Sequence, residues 1–277
     1  MRSRGDGAGG PPPGRLDADV AAARGGDRAA LERVIVEIHP RVHRLALRMT
    51  ACPADAEDAT QEILIRVITR LDSFRGQAAF TTWVHRVAAN HLLDCRRSRA
   101  ERLNLTFDGF AADLLDGLDA GPSARPDAAL LEREVQLACT HALLTCLDRE
   151  HRLAYVLGEV FELDSAEAGG ICGVDPATYR KRLSRARQRV RGFLSAHCGL
   201  VAERAACHCS RRVEAAVRSG RVDPDRLRFT ERVEDVTTGV AGLCDAAGLL
   251  RSLPPARVPA GSRERVLALI ERTGLLT

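Results

Sequence analysis

Apolar residues recur at three- and four-residue steps along most of this chain. Leu31, Val34, Ile35, Ile38, Val42, Leu45 and Met49 form one such stripe, the pattern of a helix with a single buried face. Cys52-Pro53 interrupts it. Ala59, Ile63, Ile65, Val67, Ile68 and Leu71 mark a second helix over 55–71, and the Gly76-containing stretch 72–79 reads as a loop. Thr81 or Thr82 is placed to cap a third helix that runs to about Arg97, with Val84, Val87, Leu92 and Cys95 as its buried side. Over 104–127 the period fails, and Asp108-Gly109, Asp116-Gly117, Gly121-Pro122 and Arg125-Pro126 are turn signals, with a short helix near Ala111–Leu118. Periodicity resumes with Leu130, Leu131, Val135, Ala138, Leu143, Leu144 and Leu147, then with Leu153, Val156, Leu157, Val160 and Phe161 behind a capping Asp148. No useful run alternates with period two, so the expected fold is all-α. It comprises a disordered tail over 1–25, a helical domain over 26–100, a linker over 101–127, a second helical domain over 128–197 and a helical extension over 198–277.

The second domain carries a helix-turn-helix pattern. Asp164 and Glu167 fit an N-terminal capping motif, Cys172-Gly173 ends a short helix, and Asp175-Pro176 starts the next. In that second helix Tyr179, Leu183, Ala186 and Val190 face a core, while Thr178, Arg180, Lys181, Arg182, Ser184, Arg185 and Arg189 fall on other faces. A short helix, a tight turn and a basic helix is the geometry that lays a reader into the major groove. Gly169-Gly170 inside the first helix costs about 1 kcal/mol per glycine against alanine, so looser packing is expected there.

Charge changes the picture by its distribution. The net charge of +4 is too small to argue for nucleic acid, but 176–191 holds seven basic groups and no acid, whereas 53–62 carries four acids and no base. Aromatic residues are only 4% of the chain, which gives Trp83 added weight: Trp83, Arg86 and Asn90 share a helical face, suited to stacking a base and neutralising its backbone. The other reading of Trp83 is a core tryptophan. No apolar stretch approaches ~18 residues, so no membrane span is expected. The N-terminus lacks a secretory signal, and in a cytosolic protein the nine cysteines are mostly reduced thiols. No G-x-x-x-x-G-K-[ST] or H-E-x-x-H pattern points to an enzyme.

Two sets of residues then converge. The run from Asp55 to Glu62, Phe74-Arg-Gly, Phe80-Thr-Thr-Trp83, Arg86, Asn90 and Asp94 resemble region 2 of bacterial RNA polymerase sigma factors. Residues 164–191, with Thr178, Lys181, Arg182, Arg185, Ala186 and Arg187, resemble region 4, and the pair is similar to the extracytoplasmic-function class of the sigma-70 family. The resemblance implies that Asp55, Asp58, Gln61 and Glu62 dock on core RNA polymerase through its β and β′ subunits. It implies that Phe74, Phe80, Trp83, Arg86 and Asn90 melt and hold the −10 promoter element. Thr178, Lys181, Arg182, Ser184 and Arg185 would read the −35 element. An anti-sigma factor is a further partner the resemblance allows. A stand-alone helix-turn-helix regulator is the alternative; it would bind palindromic DNA without polymerase.

The resemblance ends near residue 197. Beyond it Cys198, Cys207, His208 and Cys209 are candidate zinc ligands, although a Cys-x-Cys pair with an eight-residue spacer is not a standard finger. Buried reduced thiols and a redox dithiol are the other readings. No cofactor is otherwise expected. The segment 198–277 is expected to be a separate module that modulates the rest.

Overall fold

A computed structural model describes residues 14–230, except 117, 119 and 120, together with 261–272. Its described residues form helices and connecting turns, with one isolated bridge between Cys198 and Cys207. Helix α1 spans Arg15–Arg24, α2 Arg28–Thr50, α3 Pro53–Thr69 and α4 Phe80–Asp94. These pack around Ile35, Ile38, Leu45, Ile63, Leu64 and Leu92, all nearly or wholly buried. Asp27 caps α2 by accepting from the Ala30 amide at 3.0 Å. The all-α expectation is met, with local corrections. Helix α1 lies where a disordered tail was expected, because Val20 gives it a buried anchor against α2; the remainder of that tail, 1–13, lies outside the described residues. Helix α4 begins one residue before Thr81, at Phe80, with Ala79 as N-cap, so neither threonine caps it.

The segment expected as a linker holds α5, Phe107–Leu115, capped by Thr106. Phe110 stacks on Phe193 with ring centroids 5.3 Å apart, so this stretch packs as an element of the core. Helix α6 spans Ala128–Thr145, and α7, Arg149–Tyr155, continues into a π-turn over Val156–Val160. The helix-turn-helix is α8, Ser165–Cys172, and α9, Pro176–His197. Helix α10 spans Cys209–Arg218 and α11 Ser262–Arg272.

One hydrophobic core runs from Val20 through both helical units to Val266. The two units are also pinned by charge. Arg149 and Arg152 share the Glu101 carboxylate, at 2.8 and 2.9 Å. The same two guanidinium groups donate to backbone carbonyls at the ends of α2 (Met49), α4 (Leu93, Cys95 and Arg96) and α6 (Leu144, Thr145 and Leu147). Terminal carbonyls lack partners within their own helix, and a cation there also opposes the negative end of the helix dipole. A second seam joins α4 to α8: Thr82 donates to Glu167 at 2.6 Å, and His85 and Arg44 both lie against the Phe161 ring.

The segment 198–230 is part of this body rather than a separate module. Val213, Ala216 and Val222 pack on Leu131 and Val135 of α6. The buried Glu134 carboxylate accepts from the amides of Arg228, Phe229 and Thr230, and His141 stacks on Phe229 at 4.8 Å. Of the expected closing helix, Val266 is buried and Leu267 half-buried; the Leu269 and Ile270 side chains lie outside the described residues.

These buried groups set an acid limit. Burial pushes His85 down to about 4 and His141 to about 3, so both stay neutral in the fold. Burial alone would raise Glu101, but hydrogen bonds from Arg149 and the Ser98 amide, with Arg152 nearby, hold it at about 2. The unfolded chain therefore binds more protons than the folded one at acid pH, and stability falls as pH falls. Thermal melts should lose stability from about pH 6.5, the unfolded histidine value, and again from about 4.5 towards 2 through Glu101. Glu101→Gln should cost on the order of 3 kcal/mol at neutral pH, because it leaves two guanidinium groups without their counter-charge. An unchanged melting temperature would show that the triad carries no such load.

Candidate functional site

Helix α3 starts at Pro53, which suits a first turn that needs no amide donor. Its apolar face, Ala56, Ala59, Thr60, Ile63 and Leu64, is buried. That leaves Asp58 and Glu62 exposed on the outer line, one turn apart. Asp55 and Gln61 are half-buried and engaged. Asp55 accepts from the Arg99 amide at 2.6 Å, and Gln61 donates to Glu57 at 3.1 Å. Burial would raise the Glu57 carboxyl, but hydrogen bonds from Ser262, Arg265 and Gln61 outweigh it and hold it below the usual carboxylate range. The four acids are thus not one uncompensated patch: Asp58 and Glu62 are exposed, Glu62 with the buried His91 ring 3.8 Å away, while Asp55 and Glu57 pair with Arg99 and Arg265.

The aromatic residues of the next site form a cluster. Phe74, Phe80 and Trp83 meet with centroids 5.2 to 5.7 Å apart, Phe80 stacked on Trp83. Phe80 is 1% exposed, which corrects its expected place on a DNA-facing surface: it is the core anchor on which the other two rings rest. Phe74 and Trp83 are half-buried, and Arg86 and Asn90 are exposed along the same helix. One face of α4 therefore presents an indole edge, a guanidinium and an amide above a rigid aromatic base.

The helix-turn-helix closes as its sequence implied. Asp164 accepts from the Ala166 and Glu167 amides, and Gly173 supplies the left-handed turn with φ of 67°. Glu167 does not reach back to complete a capping box; it bonds Thr82 instead. Asp175 accepts from the Ala177 and Thr178 amides, and also from the Thr178 hydroxyl at 2.6 Å. Tyr179, Leu183, Ala186 and Val190 are buried as expected. Lys181, Ser184 and Arg185 are exposed, whereas Arg182 is half-buried and paired with Glu150 at 2.8 Å. The predicted loosening at Gly169 is reversed. A Cβ there would meet the Val174 carbonyl oxygen at 3.0 Å, so glycine is what lets the turn close; a Cβ at Gly170 would meet nothing within 4 Å.

Cys198 and Cys207, both free thiols, pair only through the isolated backbone β-bridge, Cys209 opens α10, and Cys139 faces them from α6, a neighbour that spacing did not reveal. Burial raises all four thiols, Cys207 to about 11, and their mutual proximity adds to the rise at Cys139, Cys207 and Cys209. At neutral pH they are protonated and behave as small apolar side chains. Among the described residues, no three or more His, Cys, Asp or Glu side chains are placed to hold a metal ion. Nor is any helix among them long and apolar enough to cross a membrane.

Sigma-70 region 2 matches residues 34–102, and Sigma-70, region 4 matches 137–190. The ECF RNA polymerase sigma factor SigE of Mycolicibacterium smegmatis is 33% identical over 184 residues, covering 65% of this chain and 68% of that protein. The ECF RNA polymerase sigma factor SigM of Mycobacterium tuberculosis is 31% identical over 182 residues, 65% of this chain and 85% of that one. Among solved structures, CnrH in complex with the cytosolic domain of CnrY aligns with a TM-score of 0.46 at 20% identity, covering 63% of this chain and 94% of that chain. The chain belongs to the extracytoplasmic-function class of sigma-70 RNA polymerase sigma factors.

Two stability measurements separate the scaffold from the presenting residues. Gly170→Ala should stabilise by up to about 1 kcal/mol, whereas Gly169→Ala should destabilise by about 1–3 kcal/mol through the clash at the turn. Phe80→Ala should cost about 3–5 kcal/mol, while Asn90→Ala should stay within about 0.5 kcal/mol of the parent. Denaturant melts that rank either pair in the opposite order would contradict these placements.

Proposed function

We propose that this chain is a promoter-specificity subunit of the cytoplasm that binds core RNA polymerase, recognises −35 and −10 elements and starts transcription, with no catalytic site of its own. The observation that carries the reading is the ordered pair of sigma-70 regions on one chain, each presenting exposed polar residues where the resemblance puts its contacts. Asp58 and Glu62 form the docking edge of α3, aided by the engaged Asp55 and Gln61, towards the β and β′ subunits. Trp83, Phe74, Arg86 and Asn90 receive the displaced strand, by stacking and by amide and guanidinium contacts. Lys181, Ser184 and Arg185 face the −35 duplex directly. Thr178 donates its hydroxyl to Asp175, the cap of the recognition helix, and Arg182 reaches DNA after releasing Glu150. The same ordered pair favours a sigma factor over a stand-alone regulator. A zinc ion on Cys198, Cys207, His208 and Cys209, and an anti-sigma partner, stay as proposals resting on residue chemistry and resemblance alone.

The reading carries a geometric requirement. Elements named −35 and −10 lie about 25 base pairs apart, or about 85 Å of duplex at 3.4 Å per pair. Here α4 and α8 are in side-chain contact, and the two units share one core. Engagement of both elements therefore requires the α4–α8 seam to part.

Run-off transcription with core polymerase and a promoter library tests the assignment. Full-length chain plus core should select a two-part promoter, and the chain without core should not. Asp58→Arg with Glu62→Arg should abolish core binding without unfolding the chain. Lys181→Ala or Arg185→Ala should cost about 1–3 kcal/mol at one promoter position if the side chain reads a base. If it holds phosphate, all sequences should weaken alike with a shallower salt slope. Specific palindromic binding by the chain alone would favour the regulator reading.

A further inference from the structure

Helix α11 sits in the groove between α2 and α3. Ser262, 0% exposed, bonds the buried His39 ring of α2 at 2.9 Å. Arg265 donates to Glu57 of α3 at 2.8 Å. Val266 is 0% exposed and joins the main core, with Leu267 beside it. Glu57 is the hub of this seat: it also accepts from Gln61, one turn along α3, and it precedes Asp58 in the chain. The helix therefore packs on the Glu57 side of α3, next to the line that carries Asp58 and Gln61.

We propose that α11 is a built-in competitor for the polymerase-docking face of α3. While it is seated, the Glu57 shoulder beside Asp58 and Gln61 is occupied; polymerase takes that face only when α11 lifts. The inference rests on the assignment of α3 as the docking helix. Three features make the seat reversible. Its described part, Ser262–Arg272, has eleven residues, and an isolated helix of that length is marginal in water. A cleft of about 680 Å³, lined by Leu16, Glu32, Val36 and Leu267, opens between it and α1. Its grip on α3 includes an ion pair whose arginine is half exposed to solvent. The competitor is also tethered. Thr230 is held by Glu134, and thirty residues of chain, 231–260, separate it from Gly261. A ligand on the same chain competes intramolecularly, so α11 needs little intrinsic affinity to hold the face. The apparent affinity for polymerase is then the intrinsic affinity scaled by the fraction of molecules with α11 lifted.

The test uses the full chain and core RNA polymerase. Arg265→Glu sets a carboxylate against Glu57 at an exposed position with little burden on the fold, and Val266→Asp removes the buried anchor. A third form ends after Thr230 and keeps the Glu134 contacts. Equilibrium binding of labelled chain to core polymerase is measured for each, with amide hydrogen exchange of α3 followed in the chain alone. The expected result is about tenfold or more tighter binding by all three, with faster exchange in the first half of α3. Equal affinity, weaker affinity, or α3 exchange unchanged by Arg265→Glu overturns the inference while leaving the sigma-factor reading intact. Binding by none of the forms, the parent included, overturns the docking assignment itself and the inference with it.

Discussion

Two arginines on one carboxylate hold this molecule together. Arg149 and Arg152 meet Glu101 at one side and the carbonyl ends of α2, α4 and α6 at the other. Each of those helix ends would otherwise leave carbonyl groups unsatisfied near the core. Two guanidinium groups answer several of them at once, and Glu101 balances the charge. The arrangement is costly to desolvate, and its main effect is orientation: it fixes the end of the region 2 unit against the start of the region 4 unit. The aromatic cluster, the turn at Gly173 and the acidic edge of α3 take their relative places from that joint.

The helices were legible in the sequence because their apolar period survives into the structure. The stripe from Leu31 to Met49 is the buried face of α2, and Tyr179, Leu183, Ala186 and Val190 are the buried face of α9. The caps at Asp148, Asp164 and Asp175 were readable because capping is local chemistry. What failed depends on contacts between distant residues. Glu101 and Arg149 are 48 positions apart, so no periodicity signals their pairing. Phe80 looked like part of a DNA-facing set because it stands beside the half-buried Trp83 and the exposed Arg86; only the packing of Phe74 and Trp83 against it reveals an anchor. Gly169 looked like a weakness because helix propensity counts the helix and not the Val174 carbonyl that approaches it.

The candidate sites show the same division. Residue types gave the acidic helix, the aromatic–basic helix and the basic reader. They did not reveal that Asp55 is tied to Arg99, that Arg182 is paired with Glu150, or that Glu57 anchors the C-terminal helix. Cys139 was invisible as a neighbour of Cys198, Cys207 and Cys209 because it lies on another helix. In each case the sequence identified a surface and the structure identified what already occupies part of it.

If the α4–α8 seam parts on a promoter, this arrangement is the closed form of a sigma factor. The direct test is energy transfer between dyes placed, without using cysteines, at the exposed positions Arg70 and Gln188, one in each unit. Transfer efficiency should be higher in the free chain than in the promoter complex, with a clear drop when core polymerase and promoter DNA are added. Transfer that stays at its free-chain value in a complex shown to transcribe would contradict it.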